Sequence, residues 1–326
     1  MNAWVYAYRG ELVENRHRVS LAIYGQEGLL AYAGDPTRLS YLRSSAKPFQ
    51  ALALFLTGAA ERFGLTEEEV ALATASHDGT PRHVAVAARF LEKLALGPER
   101  LACGVHPPFS KEARKALEEA GQKPTPLHHN CSGKHAGMLA AALALGVPPE
   151  GYERPDHPVQ LLNRRTLAEL AGGEPLWATD GCSVPTFALP LARAARAFYF
   201  LADPKKAPAA YREPLRRVGE AMRRHPELVA GPGSIDTFLM ERLPLLAKRG
   251  ADGYYGLALP ETPRGPLGVA LKVEDGSAQA REVMVVALLR ALGLDPGPTP
   301  WDRPEVRNHR GLPVGHLEAR LELAWV

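Results

Sequence analysis

The chain has 326 residues, of which 46% are hydrophobic, and a formal net charge of +3. This composition is typical of a globular protein, and no Lys/Arg run interleaved with aromatic residues points to a nucleic-acid partner. No apolar segment reaches the ~18 residues that span a bilayer, and the N-terminus lacks a basic head before an apolar block. We therefore expect a cytoplasmic protein with no membrane partner, and three cysteines do not suggest a disulfide framework.

Short alternating or apolar segments at both ends of the chain predict β-strands. These are Val5–Arg9, Arg18–Tyr24, Leu29–Ala33, Tyr254–Leu259 and Leu267–Val273. Helical periodicity, capping residues and acidic first turns predict helices elsewhere. These are Pro48–Gly64, segments opening at Thr66 and Thr80, Lys111–Gly121, Lys134–Gly146, Val159–Gly172, Thr186–Phe200, Pro208–His225, Ile235–Arg249 and Ser277–Leu294.

This order of elements predicts an α/β fold. Strands from the two ends of the chain can pair in one antiparallel sheet, with the helical middle inserted as a layer. We expect one compact domain over residues 1–326, with the sheet from about 1–35 and 250–326 and a helical lobe over about 48–249.

The segment Arg43-Ser44-Ser45-Ala46-Lys47-Pro48 places a serine three residues before a lysine. On a helix, this spacing puts Ser44 and Lys47 on one face. A serine hydroxyl becomes a nucleophile when a neighbour takes its proton, and a lysine can do so only if its pKa is lowered. By itself the motif more often marks a serine that caps a helix before Pro48, with a solvated lysine.

A thiol, an amine and an imidazole stand close together in Cys131-Ser132-Gly133-Lys134-His135, and a second thiol, Cys182, closely follows Asp180. Two thiolates suit zinc, whereas lysine is a rare ligand because it must first lose its proton. Asp180 and His135 are placed to orient ligands or a bound water. A cysteine nucleophile at the helix N-terminus and two unrelated core cysteines are the alternatives.

Two further segments carry candidates for catalysis. Ser76 in Ser76-His77-Asp78-Gly79 is a second possible nucleophile or a substrate binder, and the alternative is a simple turn and helix cap. Lys248 is the later lysine that we would place near Ser76, and the alternative is a cation that stabilises a helix C-terminus.

In this order, the segments resemble the Rhizobium etli-type L-asparaginases, the thermolabile asparaginase II family. The resemblance covers nearly the whole chain, and the blocks around Cys131 and Cys182 are its most specific part. The blocks are Arg43–Pro48, Ser76–Gly79, His129–His135, Asp180–Pro185, Gly231–Thr237 and Lys248–Gly253. The chain departs from the family pattern at Asp252, where Glu is usual, and at Ser234, where many members have Arg.

The resemblance implies a serine-β-lactamase/glutaminase-like fold, a homodimer, and hydrolysis of L-asparagine to aspartate and ammonia. It also implies two Ser–Lys pairs in one pocket, Ser44 with Lys47 and Ser76 with Lys248. Ser44 is our preferred nucleophile, and Lys272 is the alternative second lysine.

By the same resemblance, Cys131, Lys134 and Cys182 would hold Zn²⁺, with Asp180 and His135 nearby. Asparagine is zwitterionic, so Arg43 and Asp78 are our candidates for pairing its carboxylate and its ammonium group. A related Ser/Lys amidohydrolase (a glutaminase or acylase) is the alternative enzyme. A zinc-containing amino-acid-binding protein without catalysis is the alternative outside enzymes.

Overall fold

The computed structural model describes all 326 residues. Its strands are β1 (Ala3–Arg9), β2 (Leu12–Gly25), β3 (Gly28–Ala33), β4 (Leu39–Tyr41), β5 (Leu176–Thr179), β6 (Pro185–Pro190), β7 (Leu246–Arg249), β8 (Tyr254–Leu259), β9 (Leu267–Val273), β10 (Glu305–Arg307), β11 (Pro313–Leu321) and β12 (Ala324–Trp325).

Its helices are α1 (Lys47–Gln50), α2 (Ala53–Leu56), α3 (Ala59–Arg62), α4 (Glu67–Ala73), α5 (Pro81–Lys93), α6 (Lys111–Glu119), α7 (Ser132–Leu145), α8 (Pro158–Ala171), α9 (Leu191–Ala202), α10 (Ala209–Arg224), α11 (Pro226–Val229), α12 (Ile235–Arg242) and α13 (Ala278–Ala291). None of them combines the length and the apolar character needed to cross a bilayer. The chain folds into two compact units. Unit 1 contains Met1–Ser45, Ala188–Asp203 and Arg242–Val326, and unit 2 contains Ala46–Phe187 and Pro204–Glu241.

Unit 1 is built on a nine-stranded antiparallel sheet. Its main order is β10-β11-β1-β2-β9-β8-β7, and β3 pairs with both β2 and β12. The first strand lies beside a C-terminal one, with Ala3 opposite Leu321. The structure therefore confirms the predicted antiparallel sheet formed by strands from both ends of the chain.

Two helices of unit 1 cover opposite faces of this sheet. A Cβ atom at Gly268 would lie 2.1 Å from the carbonyl oxygen of Ala195, so the glycine allows α9 to approach the strands closely. The guanidinium of Arg281 on α13 lies 5.8 Å from the ring centre of Tyr255. Successive residues of a strand face opposite sides, and Tyr255 is next to Gly256, which faces Phe198 of α9. The sheet is thus sandwiched between α9 and α13.

Unit 2 is mainly helical and is organised around α7. This helix packs against α2, α3, α4, α5 and α8. Its residues from Ser132 to Ala142 are all buried, as expected of a helix that is apolar on every side. Its N-terminus carries the most specific sequence motif, so the motif lies at the centre of unit 2.

Three helix predictions differ from the structure. The predicted helix Pro48–Gly64 is divided into the short helices α1, α2 and α3. The segment Thr186–Phe200 begins as strand β6 and becomes helical only at Leu191, because a short apolar run fits a buried strand as well as a helix. The segment Ile235–Arg249 ends as a helix at Arg242 and continues as β7. Pro244 explains this break, since the residue before a proline is disfavoured in a helix.

Candidate active site

The amine of Lys47 lies at the centre of a buried polar cluster in unit 2. Its Nζ donates hydrogen bonds to the carbonyl oxygen of Ala75 (2.5 Å), to Oγ of Ser76 (3.0 Å) and to Sγ of Cys131 (3.2 Å). Lys47 is only 1% exposed, and burial lowers its pKa from the ordinary value. Burial favours the neutral amine because a charge is poorly solvated there. Lys47 therefore has both the contact and the electrostatic bias that a general base for a hydroxyl needs.

The backbone fixes the position of Ser76 just after α4. The amide of Ser76 donates to the carbonyl of Val229 (2.9 Å), and the next amide, of His77, donates to the carbonyl of Asn130 (3.2 Å). The segment is held in this way between two other segments of unit 2. Ser76, the second serine candidate from the sequence, is buried and touches the Lys47 amine.

Three sequence candidates meet around two sulfur atoms. Nζ of Lys134 donates to Sγ of Cys182 at 2.9 Å. A hydrogen bond between the thiols lowers the pKa of Cys131 well below its usual range and raises that of Cys182. The nearby side chains of Lys47 and Lys134 also lower the pKa of Cys131. Burial by itself would lower the pKa of Lys134. The two nearby sulfurs have a larger combined effect in the opposite direction, so the pKa of Lys134 is raised. The arrangement favours a thiolate at Cys131, a thiol at Cys182 and an ammonium at Lys134.

A tight turn between β5 and β6 presents Cys182. The amide of Ser183 donates to the carbonyl of Asp180 (2.9 Å), and the amide of Asp180 donates to the carbonyl of Val184 (2.8 Å). Ser183 adopts a left-handed backbone with φ of 75°, which is uncommon for a residue with a side chain. The Asp180 carboxylate accepts a hydrogen bond from the Gly181 amide (2.8 Å) and acts on Lys134 electrostatically, raising the pKa of that amine.

His135 is fully buried next to Lys134 on α7. Its Nδ1 lies 2.6 Å from the hydroxyl of Tyr152, and its Nε2 makes no hydrogen bond. Burial lowers the pKa of His135 to about 4, so the imidazole is neutral at pH 7. The nearby Cys182 sulfur acts in the opposite direction, raising the pKa of His135, but its effect is smaller than that of burial. Tyr152 was not a sequence candidate, and its loop carries no motif that would have revealed it.

The carboxylate of Asp78 lies against the backbone of Gly231. A Cβ atom at Gly231 would be 2.3 Å from Oδ2 of Asp78, and Gly231 has φ of 130°. Only glycine combines this backbone with room for the carboxylate. The sequence blocks that contain Asp78 and Gly231 therefore meet within unit 2.

The remaining candidates lie in unit 1. Lys248 on β7 is buried, its Nζ donates to the carbonyl of Arg249 (3.2 Å), and its own carbonyl accepts from Oγ of Ser45 (2.6 Å). Arg43 forms an ion pair with Asp252, and both have left-handed backbones, with φ of 50° and 53°.

Ser44 is half-buried in the single 3₁₀ turn Arg43–Ala46, directly before α1. The alternative second lysine, Lys272, donates to the backbone oxygen of Asp252. Burial lowers the pKa of Lys272.

The sequence model of one protein family, described as L-asparaginase II, matches residues 5–319. The chain belongs to the L-asparaginase II family. This confirms the family recognised from the six sequence blocks and makes the protein a member of a family of amidohydrolases. No functionally curated protein matches the chain.

Several solved structures are similar to this family member. A structure titled Mglu in its native form has a TM-score of 0.50 and 16% identity, covering 87% of this chain and 67% of that one. Another Mglu structure, in 4.3 M NaCl, has a TM-score of 0.49 and 17% identity over 87% of this chain, which spans 62% of that chain's length.

A probable glutaminase from Bacillus subtilis, complexed with 6-diazo-5-oxo-L-norleucine, has a TM-score of 0.41 and 14% identity over 85% of this chain and 84% of that one. The first Mglu likeness supports the predicted α/β fold class, and at this identity it supports the fold alone.

In this L-asparaginase II family member, the side chains that could hold a thiophilic metal ion are Cys131, Lys134 and Cys182. Nowhere in the structure do three or more His, Cys, Asp and Glu side chains form a group that could hold a metal. A metal at the sulfur cluster would therefore need Lys134 as a ligand beside Cys131 and Cys182. The donor set suits zinc once the thiols and the amine lose their protons.

Proposed function

We propose that the protein hydrolyses the side-chain amide of L-asparagine to L-aspartate and ammonia by Ser–Lys nucleophilic catalysis. The observation that carries the proposal is the buried contact of 3.0 Å between the Lys47 amine and the Ser76 hydroxyl, in a member of the L-asparaginase II family. A hydroxyl paired with an amine of lowered pKa is the arrangement that serine acylation requires.

The chemistry has two halves. Neutral Lys47 accepts the proton of a serine hydroxyl while Oγ attacks the amide carbon, and the tetrahedral intermediate collapses as the proton passes to the departing nitrogen, which leaves as ammonia. Lys47 then activates a water molecule, which attacks the acyl ester and restores the serine. Splitting the hydrolysis into two steps lowers the barrier that a poorly electrophilic amide presents.

The nucleophile is one of two serines. Ser76 is the hydroxyl that contacts Lys47, while Ser44, the nucleophile preferred from the sequence, precedes Lys47 by three residues. In the proposal, Lys248 is the amine of the second pair. Arg43 and Asp78 bind the carboxylate and the ammonium group of the substrate, with Asp180 and His135 as further substrate contacts.

We also propose that Cys131, Lys134 and Cys182 hold Zn²⁺. Support comes from the contact of 2.9 Å between Lys134 and Cys182 and from the hydrogen bond between the thiols of Cys131 and Cys182. Bound zinc would supply a fixed positive charge that orients a polar ligand. Metal analysis tests this: Cys182→Ser is expected to lose zinc, whereas a Cys103→Ser variant, which alters the third buried cysteine, keeps it. Equal zinc content in both variants contradicts the proposal.

A homodimer is the proposed assembly. Unit 2 exposes Leu161 (51%), Leu176 (60%) and Trp177 (44%), and two of these border a surface cavity of about 230 Å³ that Phe187 also lines. Clustered apolar side chains of this size often mark a protein interface. Light scattering after gel filtration should give twice the chain mass, and Trp177→Ser should shift the distribution towards the monomer. A monomeric wild type would refute the assembly.

Ammonia release from L-asparagine tests the activity, and L-glutamine provides the comparison for the alternative glutaminase. Lys47→Met keeps much of the side-chain volume but removes the amine, and it should lower kcat by ~10³-fold or more. Single Ser44→Ala and Ser76→Ala variants identify the nucleophile. Ser277→Ala, which alters a capping serine at the start of α13, is the control. Full activity in both Ser44→Ala and Ser76→Ala would rule out the Ser–Lys mechanism.

A further inference from the structure

The strongest unexplained feature of the sulfur cluster is the imidazole of His135. It is completely buried, yet only one of its two ring nitrogens has a hydrogen-bond partner. Which nitrogen carries the proton decides whether His135 offers a donor or a lone pair to the cluster. The surroundings of Tyr152 answer this question.

The Tyr152 hydroxyl has two polar neighbours. Its oxygen accepts a hydrogen bond from the backbone amide of Ala102 (2.8 Å), and it lies 2.6 Å from Nδ1 of His135. Tyr152 is 2% exposed, and burial raises the pKa of its hydroxyl, which keeps its proton. The amide can only donate, so Nδ1 of His135 is the sole available acceptor for the tyrosine proton.

The two possible tautomers can be compared by counting unmatched groups. If Nδ1 accepts from Tyr152, the ring proton is on Nε2, and only that N–H lacks a partner. If Nδ1 carries the proton, both the tyrosine O–H and the Nε2 lone pair are left unmatched in a buried place. Each buried group without a hydrogen-bond partner lowers the stability of the fold, so the tautomer that leaves only one such group is favoured.

We propose that Tyr152 is a positioning residue that fixes His135 as the Nε2–H tautomer, so that His135 presents an N–H donor, and not a lone pair, to the sulfur cluster and is not itself a metal ligand. The assignment of the donor rests on the contacts of Tyr152. The role of this donor rests on the zinc site proposed above, in which both cysteines would be deprotonated. An N–H donor near a ligating sulfur stabilises its negative charge and orients it, as outer hydrogen bonds commonly do at metal sites.

Nuclear magnetic resonance of the full chain labelled with ¹⁵N-histidine reads the tautomer directly, before any metal or substrate is added. His135→Gln identifies the signal by its disappearance. The wild type should show Nε2–H at His135, and Tyr152→Phe should introduce the Nδ1–H form. A chelator competition should also show zinc affinity falling about 10-fold in Tyr152→Phe.

Tyr254→Phe is the matched control, because Tyr254 is also fully buried but its hydroxyl has no hydrogen-bond partner. It should change neither the tautomer nor the zinc affinity. A wild-type Nδ1–H signal overturns the proposal and needs no variant to fold. A pure Nε2–H signal with unchanged zinc affinity in Tyr152→Phe also overturns it. Because the tautomer reading uses no asparagine, failure of the proposed activity would be recognised separately.

Discussion

Gly133 is a position at which an added methyl group would disturb both the packing of unit 2 and the candidate site. A Cβ atom there would lie 2.2 Å from the carbonyl oxygen of Leu72, which belongs to the backbone of α4. At Gly137, one helical turn later, a Cβ atom would only meet the Cβ of Ala73 at 3.3 Å and a Leu54 methyl group at 3.7 Å. The two glycines of α7 form a matched pair for substitution by alanine.

The expected effects follow from these distances. Each Gly→Ala change in a helix gains up to about 1 kcal/mol from helix propensity. A carbon and a carbonyl oxygen normally stay about 3.3 Å apart, so Gly133→Ala must move α4 and α7 apart by about 1 Å. Overpacking of this kind costs about 1–3 kcal/mol or more. We expect Gly137→Ala to be neutral or slightly stabilising and Gly133→Ala to be less stable than it by about 2 kcal/mol.

Urea unfolding of the two variants measures this difference, and ammonia release measures its effect on activity. Because Gly133 lies between Cys131 and Lys134, a shift of about 1 Å should lower kcat/KM by about 100-fold in Gly133→Ala. Gly137→Ala should remain close to wild type. If Gly133→Ala is as stable and as active as Gly137→Ala, the close approach of α4 and α7 does not position the site.

Two further predictions concern the Asp78 carboxylate and the buried imidazole of His83. Gly231→Ala should displace the Asp78 carboxylate and raise KM for asparagine about 10-fold or more. The control is Gly233→Ala, because Gly233 has φ of 77° but no atom lies near the position of its Cβ, so this variant should show only backbone strain of about 1–2 kcal/mol in urea unfolding. Equal KM values for the two variants would contradict this prediction. Burial lowers the pKa of His83 to about 4, so its stabilising contribution is complete above pH 6.5 and is lost as the pH falls towards 4. The unfolding free energy should drop by about 3 kcal/mol over that range because of this group, and a His83→Gln variant with an unchanged pH slope would argue against it.

The sequence locates five of the twelve strands, namely β1, β2, β3, β8 and β9, and several helices end at other residues than predicted. Leu267–Val273 is a short apolar segment that contains two valines and follows a turn rich in proline and glycine, and β9 has these bounds. The segment Thr186–Phe200 has no such signal. Its residues 188–190 form part of a strand that pairs with β4, with Ser40 opposite Leu189. Whether such a segment forms a strand or a helix depends on pairing partners that are distant in sequence, and a single sequence does not show which segments pair.

Motifs identify which side chains can do chemistry, but not which atoms they contact. The blocks around Cys131 and Cys182 indicated a shared site, and the structure brings Lys134 to Cys182. The pairing of Lys47 with Ser76 depends on how the backbone after α4 runs between two other segments. Tyr152 is a single tyrosine in a loop, and only the fold shows that its hydroxyl reaches His135.

Backbone strain marks the candidate segments independently of any family resemblance. Four residues other than glycine have a positive φ, and three of them, Arg43, Ser183 and Asp252, lie in the sequence blocks of the candidate site. Arg43 directly precedes Ser44, and Ser183 directly follows Cys182. Each such residue costs about 1–3 kcal/mol and persists only where its surroundings hold it, most often at functional sites. Arginine and serine rarely adopt a left-handed backbone, so the sequence does not predict one at Arg43 or Ser183. The strain is therefore separate evidence that the turns carrying Ser44 and Cys182 position functional side chains, and it lowers the stability of the fold.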